Sequence, residues 1–262
     1  MTRSERDAEA AATMRQCRAE LAARGSTVID EVLGAAPAGI EDWRHYPAGE
    51  AYDPRTHVQY FYHRHARAAA APVEESGHFH LFLRGEGIPP GVSPLLFADS
   101  AVAAAPLPPQ SAPLRRGRRE EVCHLVAISV DAAGEPGGLF TTNRWVTGEA
   151  WYRAEDMIPL IARIRFDAAR PPSLLDRWIA ALVQLYAADI AELLRRRDKS
   201  VLDWRWRWPR RNVFEDPRLE IPSHCAIDLD ARLAAAAGEV APAAMPAIWR
   251  GFPLAAADGW GR

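Results

Sequence analysis

Residues 57–65 read HVQYFYHRH and residues 78–84 read HFHLFLR. Both stretches alternate and are rich in aromatic and β-branched residues, the pattern of a strand. Side chains on a strand point to opposite faces in turn. His57, Gln59, Phe61, His63 and His65 therefore share one face of the first strand, and Val58, Tyr60 and Tyr62 share the other. On the second strand His78, His80, Phe82 and Arg84 lie opposite Phe79, Leu81 and Leu83. An antiparallel pair buries its two apolar faces together and brings its two histidine faces together. A register with His65 opposite His78 sets His63 opposite His80, about 4.5–5.5 Å apart.

Two more segments carry the same signal. His124 to Asp131 (HLVAISVD) predicts a third strand, and Leu139 to Thr147 (LFTTNRWVT) a fourth. Their short links imply antiparallel pairing. Residues 40–55 hold Pro47, Gly49 and the Asp53-Pro54 pair, and read as turns. Residues 86–121 hold seven prolines and a basic run, and read as a long irregular insertion. Ser4 to Arg24 predicts a helix that Gly25 ends, and 27–33 a shorter one. Residues 155–166 predict another. Ser173 to Arg197 carries an apolar stripe from Leu175 to Leu194 at helical spacing, with Ser173 as its cap. A short helical piece is expected over 230–237. The fold expected is α+β: one domain over 1–262, with a small antiparallel sheet of about four strands. Helices cover the sheet, a long C-terminal amphipathic helix chief among them.

Composition narrows the function classes. The chain has 262 residues and a net charge of -2, so it is not a general polyanion binder. Its three cysteines, Cys17, Cys123 and Cys225, are far apart, which argues against a disulfide framework or a cysteine zinc knuckle. The N-terminus is charged and no apolar run reaches the length of a membrane span, so a cytoplasmic protein is expected. Lys199 is the single lysine among 32 basic residues, as codon bias in a GC-rich genome produces, and arginine runs carry correspondingly little information.

The histidines carry the chemistry. Of eight, five fall between residues 57 and 80. Imidazole is the commonest ligand for zinc, iron, copper and nickel. Two histidines at i and i+2 on a strand, facing two on its neighbour, can supply three ligands and leave a position open to water or substrate. His63, His65, His78 and His80 are the candidate ligands of a divalent metal, zinc or iron. Glu75, in the loop between the strands, is the candidate further ligand or general base. His124 can join them. Thr141, Asn143 and Arg144, with Arg84 on the second strand, are candidates to bind a small-molecule substrate. The competing readings are catalysis by histidine without metal, and a solvated strand face in which the histidines are structural. Residues 195–211 (RRRDKSVLDWRWRWPRR) interleave tryptophan with arginine, as single-stranded nucleic-acid sites do. A strand that packs its tryptophans inward explains the segment as well, and a nucleic-acid partner is not expected.

Three named patterns do not fit. A cupin strand wants a glutamate three to four residues after H-x-H, whereas Glu86 is six after His80. A histidine-triad hydrolase needs a third histidine where Phe82 stands. A two-histidine phosphoesterase needs Ser or Thr two residues after each histidine, at positions held by His80 and Val126. The stretches HYPAGEAYDPRTHVQYFYHRH, ESGHFHLFLR, HLVAISVD and LFTTNRWVTGE together resemble an uncharacterised bacterial family described as a domain of unknown function. The resemblance covers most of the chain. It implies a bacterial cytosolic protein and assigns no residue a role. The function read from the residues is a histidine-cluster metal-dependent enzyme, by hydrolysis or oxygen chemistry. The alternative is a non-enzymatic protein that binds a ligand or nucleic acid.

Overall fold

A computed structural model describes residues 2–34, 40–65, 76–95, 121–168 and 172–238. Its centre is a six-stranded sheet: β1 (Tyr46–Tyr52), β2 (Val58–His63), β3 (Gly77–Arg84), β4 (Val122–Val130), β5 (Pro136–Thr141) and β6 (Ser223–Ala226). Every strand pairs antiparallel with the next in sequence. Seven α-helices accompany it among the described residues: α1 (Arg3–Arg24), α2 (Val28–Leu33), α3 (Arg144–Thr147), α4 (Ala154–Ile161), α5 (Leu174–Leu185), α6 (Ala187–Arg207) and α7 (Leu229–Ala236).

The sheet has two unlike faces. Tyr60, Tyr62, Phe79, Leu81, Leu83, Ile128 and Leu139 face the helices. There they join Met14 and Cys17 of α1, Met157 of α4, and Trp178 and Leu182 of α5 in one apolar core. The Trp178 indole tilts against Phe79, centroids 5.9 Å apart. Burial of these large side chains is the main drive to fold. The opposite face carries the histidines.

The fold class agrees with the sequence reading, but the strand count does not: there are six strands, not about four. β1 lies in the stretch read as turns. It is an edge strand with an irregularity between Tyr46 and Ala51, and an edge tolerates Pro47 and Gly49. β6 is four residues long, too short to show a period. The fourth strand stops at Thr141, because Asn143 leaves the ladder to cap α3, its Oδ1 accepting the Arg144 N–H at 2.9 Å.

The single long C-terminal helix is also two. The chain turns at Tyr186, whose backbone leaves the helical region at φ -108°, ψ 20°. Its buried hydroxyl donates to the Asp228 carbonyl at 2.9 Å, beside α7. The break lets α5 lie along α1 while α6 turns to cover β6. α6 then runs on to Arg207, so the Trp/Arg segment is helical as far as that residue and is not a strand. The Trp204 Nε1–H donates to Asp216 at 3.1 Å, and the Arg218 guanidinium lies 4.4 Å over the Trp208 ring. Trp206 is 85% exposed. No helix among the described residues is long and apolar enough to cross a membrane.

Gly77 starts β3 with φ +153°. A Cβ there would lie 2.6 Å from the His63 carbonyl oxygen and would also press on the Tyr62 hydroxyl. Gly77→Ala is expected to lower stability by about 1–3 kcal/mol, the cost of overpacking a closed site. Denaturant unfolding measures it, and an unchanged midpoint would contradict the packing described.

Candidate metal centre

The β2–β3 register places His63 directly opposite His78 and Phe61 opposite His80. This is two residues from the register expected, in which His65 faced His78. A shift of two keeps every side chain on its face. The histidines therefore still converge, though around a different centre. The His63 Nε2 atom stands 2.8 Å from His78 Nε2, 3.2 Å from His65 Nε2 and 3.2 Å from His80 Nε2. Each of His63, His65 and His78 offers a nitrogen within 4.8 Å of the other two. His80 reaches this group through His63.

Aromatic rings frame the cluster. Phe61 and Phe82 stack at 5.5 Å on its floor. His45 lies flat on Phe61 at 3.7 Å, and its Nδ1 meets Glu50 Oε1 at 2.8 Å. Trp43, 64% exposed, tilts over His65 at 4.0 Å. It is held by its own N–H donating to the Arg64 carbonyl at 2.9 Å.

Burial makes His63 and His80 poor bases. Desolvation, and after it the charges of His78, His65 and His45, push the His63 pKa down to about 2. His80, likewise buried and flanked by histidines, is held well below the usual value. Neutral rings cannot all satisfy one another. Each neutral imidazole nitrogen is either one N–H or one lone pair, so His63 Nε2 cannot hydrogen-bond well to three nitrogens at once. Its Nδ1 is buried and has no partner among the described residues. A cation bonded to nitrogens at about 2.0–2.1 Å separates them by about 3.3 Å in a tetrahedral arrangement, close to the 3.2 Å between His63 Nε2 and His65 Nε2 and somewhat beyond the 2.8 Å between His63 Nε2 and His78 Nε2.

Behind the cluster runs a polar line. His80 Nδ1 meets His124 Nε2 at 3.0 Å, and His124 Nδ1 meets Thr142 Oγ1 at 3.2 Å. β4 is bulged here: Leu81 pairs with Val126 and Phe82 with His124, so Leu125 is the extra residue. The His124 backbone N–H donates at 2.7 Å to Glu149 Oε2. Burial raises the Glu149 carboxyl to about 7, against the lowering pull of Arg197. Burial, then Arg197 and His78, lower His124 to about 3.

The other expected site residues lie elsewhere or are already engaged. Glu75 lies outside the described residues. Thr141 shares a hydroxyl hydrogen bond of 2.7 Å with Ser223, and it is Thr142 that reaches the histidines. Asn143 caps α3 and donates to the Val213 carbonyl at 2.8 Å, while Arg144 pairs with Glu215. Arg84 lies towards the other end of β3, donating to Gln59 at 2.6 Å and stacking 4.6 Å over Tyr52. The sequence missed one carboxylate. Glu220 is an exposed residue whose carboxyl is crowded enough to be raised, and the field of His78 opposes that rise. It comes from the far end of the chain, with no spacing signal linking it to the histidines.

No curated protein and no solved structure matches the chain. A family model described as a domain of unknown function, DUF6969, matches residues 8–227. That span holds the whole sheet and every residue of the histidine cluster. The chain therefore belongs to the DUF6969 family.

Proposed function

We propose that the protein is a metal-dependent enzyme acting on a small molecule, with His63, His65 and His78 as the metal's ligands. The observation that supports this most is the meeting of three imidazole nitrogens around His63 Nε2 at 2.8–3.2 Å. Neutral rings gain little from that arrangement without a cation between them. Three protein ligands leave a coordination position for water or substrate. His80 lies beside the ligands, its Nε2 3.2 Å from His63 Nε2, and His124 holds the His80 ring from behind through Nδ1. Glu220, whose carboxyl feels the field of His78, serves as the acid–base carboxylate in this reading. With zinc the chemistry is hydrolysis by an activated water. With iron it is oxygen chemistry.

Elemental analysis of purified protein tests the proposal. Near-stoichiometric zinc or iron is expected in the wild type and none in a folded His78→Ala protein. Metal at the same content in both would overturn the ligand assignment. No metal in the wild type, even after reconstitution, would leave the histidines a structural role. His124→Ala is expected to keep metal but with weakened affinity, because His80 beside the ligands loses its support; competition with a chelator reads it.

Acid stability follows from the same neutral rings. Near pH 6.5 an unfolded chain begins to protonate its histidines. The folded, metal-free protein resists this at His63 and His124, whose values lie near 2 and 3. Their contribution is complete above pH 6.5 and is lost as pH falls from there towards about 3. Urea unfolding of chelator-treated protein at pH 7, 6 and 5 is expected to show falling stability. His124→Gln should flatten that slope by up to one proton, and identical slopes would contradict the assigned shift.

A further inference from the structure

A second site lies at the opposite end of β2 from the metal centre. A cleft of about 240 Å³ opens between the turn before β2, the short helical turn after β3, and the chain leaving α4. Arg55, Arg163 and Arg165 line it, and its one acidic side chain is Glu86. We infer that this cleft binds a small oxyanion, a phosphate-bearing molecule above all.

Four features carry the inference. First, the positive charge is in surplus. Glu86 is engaged by the Tyr52 hydroxyl at 3.3 Å and by His57 at 3.6 Å. Arg165 pairs with Asp167 at 2.6 Å, while Arg55 and Arg163 have no carboxylate partner among the described residues. Second, both walls are fixed to one buried carboxylate. Asp53, 3% exposed, accepts the backbone N–H of Arg55 at 2.7 Å and of Thr56 at 3.1 Å on one wall. On the other wall it accepts those of Ala168 at 2.8 Å and of Asp167. The arginines are thus set on opposed, rigid backbones before any ligand arrives, which lowers the entropy lost on binding. Third, the last carbonyl of α4 and one in the chain just after it are turned to another use. Gln184 Nε2 donates to the Ile161 and Ile164 oxygens at 3.0 and 3.3 Å, which reduces the negative potential beside Arg163. Fourth, Thr56 Oγ1 is buried and has no hydrogen-bond partner among the described residues, and Thr56 lines the cleft. Guanidinium groups paired with a hydroxyl suit an oxyanion, since each planar fork can bind two of its oxygens.

Isothermal titration of the full chain with inorganic phosphate and with pyrophosphate, at ionic strength held constant with chloride, tests the site. Saturable one-to-one binding is expected. It should weaken at least tenfold in Arg55→Gln/Arg163→Gln, whose exposed positions leave the fold intact by circular dichroism, and in Thr56→Val. It should persist in His78→Ala, which separates this cleft from the metal centre and from any failure of the metal assignment. Three results would overturn the inference: heats that never saturate, affinity unchanged in the double arginine variant, or binding that disappears with His78→Ala.

Discussion

Pairing of His63 with His78 across β2 and β3 decides what both faces of the sheet can be. A slip of one residue would turn Tyr62 and Phe79 outward and drive the histidines into the helix-covered core. The apolar face forbids that slip, because it seats Phe79 under Trp178 and Tyr60 against Phe166 at 5.4 Å. The hydrophobic core therefore does more than hold the fold together. By fixing the register it gathers polar rings on the other face, where they gain little from one another.

Those rings are held in place by what lies behind them. The bulge at Leu125 frees the His124 N–H, Glu149 takes it, and the His124 ring supports His80. Glu149 and Arg197 are both fully buried, and the pull of one on the other keeps the carboxyl from rising further. A polar network of this kind is costly inside a protein unless its members are satisfied. Arg197 Nη1 and His63 Nδ1 are left without a partner among the described residues, and His63 is at the centre of the candidate ligands.

Much of this was legible in the sequence because strand periodicity is local. Alternation in 57–65 and 78–84 placed the four histidines on one face and the tyrosines and leucines on the other. The exact register was not legible, because a shift of two preserves both faces and only the turn and the packing distinguish the choices. β1 and β6 escaped because edge strands bear Pro47 and Gly49 in one case and run for four residues in the other. The break at Tyr186 depends on a partner 42 residues away, Asp228, which no local pattern reveals. Thr142 was missed for the same reason: its approach to His124 is made by the bulged sheet, not by spacing.

A metal bound where the imidazole nitrogens converge would scatter anomalously. A crystal structure with data collected across the zinc and iron absorption edges tests it most directly. One anomalous peak is expected about 2.0–2.1 Å from nitrogens of His63, His65 and His78. Well-ordered histidines at these separations with no anomalous peak, in crystals grown from metal-supplemented protein, would contradict it.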